Sequence, residues 1–106
     1  MITRGDVHLV RLDPTLGSEI QKTRPCVIVS PDELNAHLRT VLVAPMTTGG
    51  QAYPWRVPVS FGGKEGHIAL DQLRTIDGVR LITLIGRLDE DTAERLLQVL
   101  AELFAP

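Results

Sequence analysis

The chain is a succession of short apolar runs, each closed by proline, glycine or a polar cluster, and this rhythm suits many short strands rather than a helical bundle. Residues 7–12, 26–30, 40–44, 55–60, 67–70, 73–76 and 81–88 read as strands, about seven in all. Two of them, 26–30 and 40–44, are apolar without alternation and are expected to be buried on both faces. In 55–60, by contrast, Val57 and Val59 alternate with Arg56, Pro58 and Ser60, as on a half-exposed edge. Pro25 has no amide hydrogen to donate and fits the first position of its strand, whereas Pro45 is expected to stop the strand before it. Residues 31–35 read as one helical turn, and Thr47–Gly50 and Gly62–Gly63 as turns.

At the C-terminal end Ala93, Leu96, Leu97, Leu100, Leu103 and Phe104 recur at helical spacing, with Asp91 and Glu94 forming a capping box. This helix is expected to pack on the sheet or on a second subunit. With 106 residues, 43% of them hydrophobic, one domain over 1–106 is expected. The architecture predicted is mainly β with a C-terminal helix, either a small barrel or an open two-layer sheet.

The formal charge of -2 does not announce a nucleic-acid partner. The acids gather in the tail, however: residues before 87 hold nine basic and eight acidic side chains, so any anion site must be a local patch. Cys26, the one cysteine, lies in an apolar run and reads as a buried, inert thiol. No leader-like segment and no apolar run of the ~20 residues that span a bilayer is present, and a cytoplasmic protein is expected.

His8, His37 and His67 have no partner at zinc-ligand spacing, and no glycine pattern ends in a phosphate-cradling lysine. Asp13, Glu19 and Asp71 form no acidic cluster, so neither a metal nor a cofactor is expected. The polar loop 13–23 is long for a hairpin connection, and loops of that length often carry function. Arg24 sits where this loop meets a buried strand, its backbone held extended by Pro25. Two readings are open for it: a positioned functional fork, or an ion-pair partner for Asp6 or Glu19.

Arg4-Gly5-Asp6-Val7, Asp13-Pro14-Thr15 with Gly17-Ser18-Glu19, Thr23 to Ser30, Val43 to Thr48 and Leu70 to Asp77 occur in the order found in the MazF/PemK toxin family, which the chain resembles over nearly its full length. The resemblance implies an SH3-like barrel with a C-terminal helix, related to the CcdB-like fold, and a homodimer. It implies metal-independent cleavage of single-stranded RNA at short sequences, leaving a cyclic phosphate and a 5′-hydroxyl. Arg24 and Thr47 match the family's catalytic arginine and threonine, and Glu19 matches a loop glutamate that is the best candidate proton acceptor if the loop folds over the Arg24 side.

A guanidinium with several donors suits the phosphorane charge and is too basic to accept the proton. Lys22, Thr48, Gln72 and Arg74 are candidate RNA contacts. Trp55 or Tyr53 either stacks a base or belongs to the core. The implied partner is a MazE-like antitoxin with an acidic tail lying across the RNA groove. Ile20 and Gln21 depart from the family's usual loop residues, which bears on the RNA sequence read, and His8 replaces a position often aromatic. The rivals are a CcdB-like toxin that binds gyrase and cuts nothing, and a silent SH3-like binding module.

Overall fold

A computed structural model describes residues Met1–Pro106. Seven strands form one antiparallel sheet: β1 (Asp6–Arg11), β2 (Thr23–Ile28), β3 (Thr40–Thr48), β4 (Arg56–Phe61), β5 (Lys64–Ala69), β6 (Arg74–Asp77) and β7 (Leu81–Arg87). Helix α1 (Asp32–His37) links β2 to β3, and α2 (Glu90–Leu103) follows β7. The order is β4-β5-β3-β2-β1-β7, with β6 also on β3.

β3 does not stop at Pro45, as its composition predicts, but continues to Thr48. Its first half pairs with β6 from Thr40↔Asp77 to Val43↔Arg74, and its last three residues pair with β5 from Met46↔Ile68 to Thr48↔Gly66. The one-turn helix Leu70–Gln72 lies between these two stretches. The pairing is thus interrupted opposite the proline, which lacks the amide hydrogen a ladder needs, and the strand survives it.

Alternation along β2 divides the core between the two faces of the sheet. Val27 joins Val7, Ala44, Met46, Val57, Ile68, Leu96 and Val99, while Cys26 and Ile28 join Val10, Leu12, Val41, Val43 and Ile76. Each such aliphatic side chain contributes ~1.5–3 kcal/mol on burial, so the central strands carry most of the stability. Leu96 and Val99 anchor α2 to the first face, while Leu97, Leu103 and Phe104 remain exposed. The helix is capped by Asp89, not by the expected Asp91: the Asp89 carboxylate accepts from the Thr92 amide at 3.2 Å. Thr92 therefore holds the position at which the capping-box reading put Glu94.

The sheet curls until its ends meet. A Cβ on Gly86 of β7 would stand 2.8 Å from Cζ of Phe61 on β4, so the glycine makes room for the ring of the opposite end strand. β4 and β7 exchange no ladder hydrogen bonds, and the curled sheet is barrel-like without being closed. No helix is long and apolar enough to cross a membrane.

Candidate functional site

Arg24 lies in the second position of β2 and Thr47 near the end of β3. The β2–β3 register runs Cys26↔Pro45, Val27↔Ala44, Ile28↔Val43; carried two residues further, it sets Arg24 level with Thr47. Both residues line a cavity of about 140 Å³ with Thr48, Phe61, Lys64 and Glu65. The Arg24 Nε donates to the Gln21 carbonyl at 3.0 Å, and its terminal nitrogens make no hydrogen bond within the chain. The ion-pair reading of this arginine fails, because Asp6 is taken by Arg87 and Glu19 by a backbone amide.

The Thr47 hydroxyl is enclosed and has no hydrogen-bond partner. Leaving such a group unpaired costs ~1–3 kcal/mol. β5 reaches Thr47 closely because residue 66 is glycine: a Cβ there would fall 1.8 Å from the Thr47 carbonyl oxygen. An isolated glycine inside a strand is the sequence signal for such an approach.

Glu19, Gln72 and Arg74 line a second cavity of about 360 Å³, with Leu12, Ile20 and Pro45. Their polar atoms serve the loop. The Gln72 amide accepts from Ile20 N at 3.1 Å and donates to the Ser18 carbonyl at 3.4 Å. Arg74 donates to the Leu12 carbonyl at 3.1 Å, and Arg80, which the sequence does not single out, donates to that of Asp13 at 2.7 Å. Glu19 lines the second cavity and not the one with Arg24; its carboxylate accepts from the Leu16 amide of its own loop. Lys22 lines neither cavity and closes the loop in the left-handed region, φ 72°, its amide donating to Asp13.

Cys26 lies in the buried core next to β2's Arg24. Burial pushes its thiol up to about 12, against the opposing charges of Arg74 and Arg24, so both guanidinium groups act on one buried side chain. Tyr53 and Trp55 line neither cavity but stack on each other, centroids 5.0 Å apart. Arg56 lies over Tyr53 and makes a bidentate pair with Asp71 at 2.9 Å. The His8 imidazole is held below its ordinary value by burial, against the nearby Asp6 charge. No three His, Cys, Asp or Glu side chains gather where they would hold one ion.

A curled antiparallel sheet whose neighbouring strands bring an arginine and an unpaired threonine hydroxyl to one cavity defines a small barrel-like protein. The profile of the PemK-like, MazF-like toxins of type II toxin–antitoxin systems matches residues 3–104, and the chain belongs to this family. It is 44% identical to the endoribonuclease PemK of Escherichia coli over 79 residues, 70% of this chain and 59% of that protein, so the match spans somewhat more than half of PemK. It is 40% identical to the endoribonuclease MazF of Staphylococcus epidermidis over 87 residues, 76% of this chain and 72% of that one. A mycobacterial endoribonuclease solved in complex with its cognate antitoxin shares the fold, with a TM-score of 0.84 at 23% identity, covering 100% of this chain and 98% of that one.

Proposed function

We propose that this chain is a sequence-specific endoribonuclease toxin that cuts single-stranded RNA, mRNA in the cytoplasm, without a metal ion. The observation that carries this is the alignment of Arg24 with Thr47 across β2 and β3 at one cavity, both with hydrogen-bonding capacity unspent. A ribose 2′-oxygen attacks its own phosphorus, the P–O5′ bond breaks, the 2′ proton leaves to an acceptor and the 5′-oxygen takes one up. The products are a 2′,3′-cyclic phosphate and a 5′-hydroxyl.

Arg24 braces the charge that builds on the phosphorane, and Thr47 donates its hydroxyl to a non-bridging oxygen. Thr48 and Lys22 contact the RNA backbone. Gln72 and Arg74 act through the loop they hold, and Glu19 serves as proton acceptor only on release from the Leu16 amide.

The partner that silences the enzyme is an antitoxin whose acidic tail occupies the same cationic ground, excluding RNA in a salt-dependent way. The chain acts as a homodimer: β7 leaves Ile82, Leu84 and Ile85 exposed on an end strand, and α2 with the residue after it leaves Leu97, Leu103 and Phe104 exposed. Light scattering at micromolar concentration should report two copies, and a monomer there rejects this element.

The deciding experiment incubates mixed-sequence RNA with the protein in excess EDTA, beside Arg24→Ala, and maps the product ends. Cleavage by the parent alone with cyclic phosphate ends supports the reading. No cleavage with EDTA or with magnesium rejects it in favour of a binding toxin.

A further inference from the structure

The cavity beside Arg24 and Thr47 has an apolar wall for which the phosphate chemistry has no use. Met46, Val59 and Phe61 line it, and the hairpin register sets Lys64 and Gly66 on the same face as Phe61 and Val59. Thr48 pairs with Gly66 and shares that face. Glu65, paired with Ser60, falls on the other face with Thr47 and Arg24, so the cavity, which all of them line, joins the two faces at the strand ends and holds two cations, Lys64 and Arg24, and one carboxylate.

Phe61 is half-buried and fitted from behind by Gly86, where a Cβ would crowd its Cζ at 2.8 Å. Gly66 in turn fixes how near this wall comes to Thr47, since any side chain there would meet the Thr47 carbonyl. An aromatic ring and aliphatic neighbours beside a net positive lining, Arg24 and Lys64 against Glu65, suit a flat, apolar-faced group carried on a polyanion.

We infer that this cavity takes the nucleobase adjoining the phosphate held at Arg24 and Thr47, stacks it against Phe61, and so sets the base preference at one position beside the cut. The inference rests on the RNA-cleaving reading above. Phe61 is thereby a specificity-determining residue, and Gly86 a positioning residue that acts through it.

The test digests a random-sequence RNA library with the full-length parent, Phe61→Ala, Phe61→Tyr and Gly86→Ala, sequences both product ends, and measures KM and kcat on the preferred site. Phe61→Ala should flatten the preference at one position next to the cut and raise KM about tenfold, with kcat within about twofold of the parent. Phe61→Tyr should keep the parent's preference. Gly86→Ala, which shifts the ring without removing it, should blur the same position. If Phe61→Ala or Gly86→Ala, folded by circular dichroism, retains the parent's preference and KM, the subsite is wrong while the nuclease reading stands. If Phe61→Ala does not fold, Gly86→Ala decides the matter by the same criterion, and a folded Phe61→Tyr that loses the parent's preference overturns the stacking role. A parent that cuts no RNA overturns both.

Discussion

Successive stretches of β3 line two cavities, Pro45 the one with Glu19, Gln72 and Arg74, and Met46 to Thr48 the one with Arg24. In the first, the side chains of Glu19, Gln72 and Arg74 are committed to the backbone of residues 12–20, through Ile20, Ser18, Leu12 and Leu16, and Asp71 to Arg56. In the second, the Thr47 hydroxyl has no partner, and Arg24 gives the chain only its Nε. Polar groups that stabilise the fold have their bonds made in the isolated chain; groups kept for a ligand do not. On the proposed reading the difference separates residues that act on substrate from residues that hold the loop, although both kinds carry the same chemistry in the sequence.

Three substitutions press on that contrast. Arg24→Ala should lower RNA cleavage most, about a thousandfold, with the unfolding midpoint in urea almost unchanged, because only one exposed hydrogen bond is lost. A large loss of stability would show that this arginine is structural after all. Thr47→Val should reduce cleavage about a hundredfold while leaving stability equal or higher by up to ~1 kcal/mol, since it removes a buried hydroxyl that bonds to nothing. Equal cleavage by the valine variant would end the case for this hydroxyl.

Gln72→Ala should show the reverse balance. It deletes the bonds to Ile20 and Ser18, costing about 1–2 kcal/mol, and should speed hydrogen exchange at the Ile20 amide. Cleavage should drop only about tenfold, mainly through KM, as the loop loses its position. If kcat instead collapsed with the loop's exchange unchanged, Gln72 would belong with Arg24 and the division between the cavities would dissolve.

Much of the fold is legible in residue pattern alone. Seven strands, the half-exposed edge at Val57 and Val59, the doubly buried run from Cys26 and the amphipathic C-terminal helix follow from periodicity and turn residues. The misreadings have local causes. Pro45 looks like a strand end because a proline cannot complete a ladder on both sides, yet the 70–72 turn on the partner makes a gap that accommodates it. Asp91 looks like a cap because Glu94 stands three residues on, but Thr92 supplies the same geometry to Asp89.

The candidate site was harder to read. Arg24 and Thr47 meet only through a register that no short motif reveals. That Gln72 is bonded over a gap of more than fifty residues cannot be known from its neighbours in sequence. Phe61 and Gly86 lie in unrelated segments whose relation arises only when the sheet curls.

The strand order has a bearing on how such proteins diversify. The β4–β5 hairpin, residues 56–69, hangs at the end of the sheet, whereas Arg24 sits on an interior strand. If Phe61 sets the base preference as proposed, changes in the hairpin alter what a substrate meets beside the cut without moving the arginine. A lineage can therefore drift from one target sequence to another by rewriting this peripheral module, its chemistry inherited unchanged, and the hairpin is the natural unit to exchange when new recognition is to be built onto the same scaffold.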